Sequence, residues 1–279
     1  MSLLDLFKSA PTISPDTVRE YITGKKPDEY LLLDVRQPSE YEHGHLPGAR
    51  LMPISELSSR LGELDTQKQT ILYCRSGNRS NSAAGLLIGA GFKDVLNMQG
   101  GITRYSGIVA SGPPEAGLFC FPETLTPGEL SAVAWYLEDS TIRFLNSLRA
   151  DVLSDKTPDI VYKLVEEKEV HKQKLAKLYK ELTGKEPEPE FPKGVLDIPA
   201  QEVMIGCVKV SDAVKWAEGK SINEVLELVL SLTANTYDLY LKLSRQVKSD
   251  EARRVFTLLS KEEQEYVERA AEAFERTLD

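Results

Sequence analysis

The stretch Thr70-Ile71-Leu72-Tyr73-Cys74-Arg75-Ser76-Gly77-Asn78-Arg79-Ser80 decides how the first part of this chain is read. An apolar run of strand type ends on a cysteine, a short polar loop follows, and Asn81–Ile88 then has the pattern of a helix. A loop at such a junction turns successive main-chain N–H groups toward one point, and the positive end of the helix dipole adds to their field. Gly77 permits the tight curve that this convergence requires. Arg75 and Arg79 flank the same space. A cysteine placed there is expected to have a lowered pKa and to be partly thiolate at neutral pH. The backbone from Arg75 through Ser76, Gly77 and Asn78 to Arg79 forms a cradle suited to an anion. A plain core cysteine needs neither the glycine nor the two arginines.

The neighbouring segments repeat this alternation. YLLLDV at 30–35 reads as a buried strand ending near Asp34 and Arg36, and 89–96 reads as a helix end followed by a third strand. Helical patterns at Ser14–Ile22, Ile54–Leu61 and Ser80–Ile88 lie between them. Strands alternating with helices predict an α/β layer with a mostly parallel sheet flanked by helices. Residues 111–125, rich in Gly and Pro, read as a linker between a domain at 1–110 and another at 126–279. In the second part the period becomes helical. Long helices are predicted from Thr126 to about Val152, Pro158 to Leu182, Ile222 to Val247 and Asp250 to Leu278. A shorter one is expected near Ser211–Glu218, and residues 184–200 form a long connection. Two helix pairs joined by one long crossover predict a four-helix bundle.

The 279 residues carry a net charge of −9, and about −8 of it falls after residue 115. An acidic second half argues against nucleic acid and anionic membrane as partners. No apolar run approaches the roughly 18–20 residues of a membrane span. The N-terminus lacks the basic-then-apolar pattern of a secretory signal, so a cytoplasmic location is expected. Three cysteines do not make a disulfide framework, and free-thiol chemistry is expected of them.

Several motifs in order resemble a single rhodanese domain over about residues 12–108. These are Asp34-Val35-Arg36, the run from Glu40 through His43-Gly44-His45-Leu46-Pro47-Gly48 to Ala49, the Cys74 loop, Gly89-Ala90-Gly91-Phe92, and Gly100-Gly101. The resemblance implies a sulfurtransferase. Cys74 would attack the outer sulfur of a donor such as thiosulfate, become a persulfide, and pass that sulfur to a thiophilic acceptor. It also implies that Arg79 braces the loop and that Asp34 and Arg36 lie near the pocket. Tyr105 stands where the family often has a Trp. Phosphatases built on a similar cradle use Cys-x5-Arg. Here Arg79 comes after four intervening residues and Ser80 takes the phosphatase position, a smaller ring that suits one bound sulfur. His43 and His45 read as parts of a structural turn, because a step that starts from a thiolate needs no strong base. Cys120 and Cys207 lack such a cradle, although Cys120 could in principle resolve a persulfide on Cys74.

The second half resembles the ferritin-like, rubrerythrin-like superfamily in architecture. In the metal-binding members, each helix pair supplies a Glu and then a Glu-x-x-His facing inward. Of those six positions Glu138, His171 and Glu263 remain; the others fall on Lys168, near Thr233, and on Tyr266. Glu167 could substitute through a shifted register. The expectation is therefore a bundle that has lost its di-iron site, with no cofactor required. His171 would be hydrogen-bonded in the core to Glu138 or Tyr266. The helical domain would serve dimerisation, docking or regulation. The expected partners are a small sulfur-containing anion as donor, a thiol or protein as acceptor, and a second copy of the chain as a homodimer. The alternatives are a fused sulfur/peroxide redox protein with an iron-binding bundle, and a non-catalytic interaction module.

Overall fold

The computed structural model describes residues 10–151, 159–197 and 201–278. The chain divides into two compact units between Glu115 and Ala116. The first contains β1 (Thr12–Ile13), α1 (Pro15–Gly24), β2 (Tyr30–Asp34), α2 (Pro38–His43), β3 (Arg50–Leu51), α3 (Ile54–Arg60), β4 (Gln69–Tyr73), α4 (Asn78–Gly89) and β5 (Val95–Met98). The five strands pair in the order β1-β5-β4-β2-β3, every pairing parallel.

The apolar runs are continuous rather than alternating because both faces of the sheet are covered. Leu33 and Leu72 pack with Leu57 of α3 and Ala83, Ala84 and Leu87 of α4. Tyr30, Leu32, Ile71 and Tyr73 join Val18 and Ile22 of α1 and Tyr41 of α2 in a second cluster. Strand β4 is central, so its carboxyl end, where Cys74 follows, opens at the rim where parallel sheets place their sites. β1 and β3 have only two residues each and α2 only six, too short for a period to reveal them.

The second unit begins with a single 3₁₀ turn, Leu118–Cys120, inside the stretch read as linker. Four long helices follow: α5 (Pro127–Asp151), α6 (Asp159–Thr183), α8 (Ile222–Gln246) and α9 (Asp250–Leu278). A small antiparallel hairpin, β6 (Val203–Met204) with β7 (Val208–Lys209), and the short helix α7 (Val210–Ala217) lie between the pairs. Val152 and Pro158, at two expected helix boundaries, lie outside the described residues. The Thr126–Glu129 capping box starts α5 as its sequence predicts, with Thr126 N–H 2.7 Å from Glu129 Oε2 and Glu129 N–H 3.3 Å from Thr126 Oγ1. α5 packs along α6 and α8 along α9, and α9 also contacts both α5 and α6. The α5–α6 pair is antiparallel: Gly128 lies against Thr183, while Asp139 binds Lys172. Phe121, Leu137, Phe144, Leu175, Tyr240 and Phe256 belong to the core.

The cysteines require a correction. Cys120 and Cys207 form a disulfide across 87 residues of sequence, with their Cα atoms 6.3 Å apart. Cys120 therefore has Cys207, not Cys74, as its partner. Spacing alone could not show a pairing that depends on the hairpin region folding back to the start of the unit. Cys74 is the free cysteine.

Candidate active site

Cys74 follows β4 directly, and the segment after β5 clamps it. The Cys74 carbonyl accepts from Ile102 N–H at 2.9 Å; the Arg75 carbonyl accepts from Thr103 N–H at 3.1 Å and from its hydroxyl at 2.7 Å. Gly101 makes this approach possible. A Cβ there would lie 2.3 Å from the Cys74 carbonyl oxygen and 2.5 Å from that of Arg75. Gly77, at φ 96°, is the N-cap of α4 and turns the loop in the left-handed region.

The sulfur lies inside this turn. Gly77 N–H donates to Cys74 Sγ at 3.1 Å. The Ser80 hydroxyl is 3.5 Å from the sulfur, 3.1 Å from the Gly77 carbonyl and 2.6 Å from Asn97 Oδ1. Asn97 Nδ2 donates to the Gly77 carbonyl at 3.2 Å, so β5 fixes the loop through one side-chain amide. Burial pushes the Cys74 thiol up. The Ser80 hydroxyl and the N–H groups of Ser80, Ser76 and Gly77 more than offset this and hold the thiol below the ordinary cysteine value. Cys74 is 1% exposed. It is the floor of the loop, because the donors close on the sulfur itself. Arg75, Ser76 and Asn78 around it are exposed.

Arg79 braces the loop through a carboxylate that the sequence reading had not placed in the site. Its guanidinium donates to both oxygens of Glu40, on α2, at 2.7 Å each. The Arg79 hydrogen bond is the largest influence on Glu40 and lowers its pKa to about 2. Asp34 and Arg36 require a second correction. Rather than presenting charge to a pocket, they bind each other in a buried fork, with Arg36 Nε 2.9 and 3.0 Å from the Asp34 oxygens. Arg36 Nη2 also donates to Asp34 and to the Gly44 carbonyl, each at 2.6 Å. The pair ties the end of β2 to the turn after α2. In that turn His45 is buried, stacks on Tyr41 at 3.6 Å, and places Nδ1 2.9 Å from the Tyr41 carbonyl. His45 is thus part of a packed turn.

Glu40, Ser80, Asn97 and Thr103 bear on the site although the sequence does not mark them as part of it. The one signal for Asn97 was a polar residue inside the otherwise apolar run Val95–Met98.

The second unit holds a separate cluster of charge. Lys168 Nζ donates to Glu138 Oε1 at 3.0 Å and lies 3.0 Å from Glu138 Oε2 and 3.7 Å from Glu263 Oε1. His171 Nδ1 is 3.1 Å from Glu138 Oε1 and 3.7 Å from Glu263 Oε1. Burial opposes charge on Glu138, but Lys168 and His171 hold its carboxyl below the usual range. Burial pushes Glu263 up to about 8, with Lys168 pulling the other way. Glu167 does not enter the cluster; it lies 3.4 Å from Arg269 on the outside. Thr233 is buried, and its hydroxyl donates to its own helix at the Val229 carbonyl. Glu138, His171 and Glu263 could converge on a metal, but with the Lys168 ammonium between the carboxylates the set does not fit one. No helix among the described residues is long and apolar enough to cross a membrane.

Comparison with known proteins agrees with the first unit. The family model described as a rhodanese-like domain matches residues 14–107. The uncharacterized protein YqhL of Bacillus subtilis is 42% identical over 76 residues, 27% of this chain and 60% of its own length. This chain therefore spans less than two thirds of that relative. A protein named sulfurtransferase from Allochromatium vinosum is 35% identical over 79 residues, 28% of this chain and 74% of its own. Among solved structures, a rhodanese-related protein from Thermoplasma volcanium is 31% identical, covering 33% of this chain and 87% of that one at a TM-score of 0.30. With the strand-loop-helix at Cys74, the family match at 14–107 and the Allochromatium relative together, the chain belongs, through its N-terminal unit, to the rhodanese-like family.

Proposed function

We propose that the N-terminal unit is a sulfurtransferase that works through a persulfide on Cys74. The Cys74 thiolate attacks the outer sulfur of a small donor such as thiosulfate. A bond forms between the two sulfurs, the donor's S–S bond breaks, and sulfite leaves with the electron pair. The persulfide then gives its terminal sulfur to a thiophilic acceptor and the thiolate returns. Each step begins and ends with one negative charge on the enzyme sulfur, so the charge remains within the same N–H cradle throughout. Arg75, Ser76, Gly77, Asn78 and Arg79 form that cradle; Asp34 and Arg36 support the neighbouring turn.

The supporting observation is a buried sulfur whose anion is favoured despite its burial, by Gly77 N–H and its neighbours. The matching name of the Allochromatium relative supports the same reaction class. The test is transfer of sulfur from thiosulfate to cyanide, with mass spectrometry for one added sulfur atom on Cys74. Cys74→Ser should abolish both. Transfer that persists in Cys74→Ser, or an adduct on another residue, contradicts the proposal. For the second unit we propose a ferritin-like bundle that acts in docking, dimerisation or regulation rather than in chemistry. The charged residues facing one another from α5, α6 and α9 support that reading of its build.

A further inference from the structure

The cluster between α5, α6 and α9 has a property that neither its burial nor its packing explains. Glu263 is 0% exposed, yet neither of its oxygens has a hydrogen-bond partner. A carboxyl sealed in this way costs stability unless something of opposite charge faces it. Lys168, also 0% exposed, provides that charge at 3.7 Å and lies over the face of the Tyr266 ring at 4.0 Å. One donor atom from each of Glu138, His171 and Glu263 lies within 4.8 Å of the others. These are two carboxylates and an imidazole, the donor set of a divalent transition ion. A surface cavity of about 180 Å³ is lined in part by His171, Leu178, Leu258 and Glu262.

We infer that the Lys168 ammonium is the resident cation of the helical unit and masks a latent divalent-metal site made by Glu138, His171 and Glu263. Charge balance decides between the two occupants. Two carboxylates offer at most two negative charges, and Lys168 already neutralises one. A divalent ion beside Lys168 would leave excess positive charge buried without a partner, whereas without the lysine the same two carboxylates balance the ion. Distance leads to the same conclusion. The ammonium is 3.0 Å from both oxygens of Glu138, which an ion would have to approach to about 2.0–2.2 Å.

The test is a Co²⁺ titration of the full-length protein, read by visible absorption and by metal content after dialysis. The comparison uses wild type, Lys168→Ala, and Lys168→Ala with Glu263→Gln. Wild type should take up no ion at the cluster, Lys168→Ala one per chain, and the double variant none. Wild-type uptake of one ion per chain that His171→Ala abolishes would overturn the inference. So would a folded Lys168→Ala that takes up none. If Lys168→Ala does not fold alone, Lys168→Met is read in the same way. Folding of either variant only on addition of Co²⁺ supports the replacement of one cation by another, and failure of both with and without the ion refutes it.

Discussion

Two buried groups of charge, one in each unit, are stabilised by different means. At Cys74 an anion is favoured by main-chain N–H groups and a hydroxyl, all within six residues of sequence. At Glu138 an anion is favoured by a lysine and a histidine on another helix, 30 and 33 positions away. In the first arrangement the nearby cation, Arg79, is already paired with Glu40, so the sulfur's charge is favoured chiefly by N–H groups and a hydroxyl. The second closes two carboxylates around an ammonium. Dipoles that point at a reactive atom lower its pKa without binding it, whereas an opposite charge in contact holds its partner in place. The contrast separates a site built for turnover from one built for cohesion.

The largest effect that tests this comparison is at the thiolate. Cys74→Ser should reduce thiosulfate:cyanide transfer by at least about 10³-fold, since the loop holds no second thiol. Next comes the cluster. Without added metal, Lys168→Ala should cost about 3–5 kcal/mol in urea unfolding of the second unit, because it leaves two buried carboxyl groups, Glu138 and Glu263, with His171 alone facing them. Of similar size, Cys207→Ser should destabilise the same unit by up to about 4 kcal/mol, from the entropy of the long loop that the disulfide closes. Little change in either melt would mean that these helices do not depend on their internal links.

Smaller effects separate the dipole cradle from its braces. Ser80→Ala should slow alkylation of Cys74 at neutral pH by about 2- to 10-fold, the worth of one hydrogen bond to the charged sulfur. Glu40 tests the brace through pH. Its folded pKa lies at about 2, below its ordinary value of 4.5. Its contribution to stability is therefore complete above pH 4.5 and disappears as pH falls through about 2. Glu40→Gln should flatten the acid limb of the stability curve in that window and change the neutral-pH stability by about 1 kcal/mol or less. An unchanged acid limb would mean that Arg79 does not hold Glu40 in solution.

The first unit was legible in sequence wherever its causes were local. YLLLD, TILYC and the helix after Cys74 declare themselves because both faces of a parallel sheet must be apolar and a helix must follow the loop. The cradle was legible for the same reason, since Gly77 and its neighbours are contiguous. Asn97, Glu40 and Thr103 were not, because they reach the loop from β5, from α2 and from the segment after β5. Asp34 and Arg36 were read as pocket charges when their spacing allows them to bind each other, a preference that sequence alone does not settle. In the second unit, helical periodicity and the Thr126 capping box gave the four long helices. The small hairpin at 203–209 and the disulfide it carries to Cys120 gave no signal, because two-residue strands have no period and a cysteine 87 positions away has no register. Glu138, Lys168, His171 and Glu263 could be placed on inward faces one at a time. That the ammonium would sit between the carboxylates depended on how three helices pack.

The most direct test of the central claim, that fold-positioned N–H groups lower the pKa of the Cys74 thiol, is the pH dependence of its alkylation in the folded protein, read by mass spectrometry against denatured protein. The midpoint should lie below that of the denatured thiol, and Ser80→Ala should move it upward. A midpoint at or above the denatured value, or a thiol that no small alkylating agent reaches in the folded state, would contradict it.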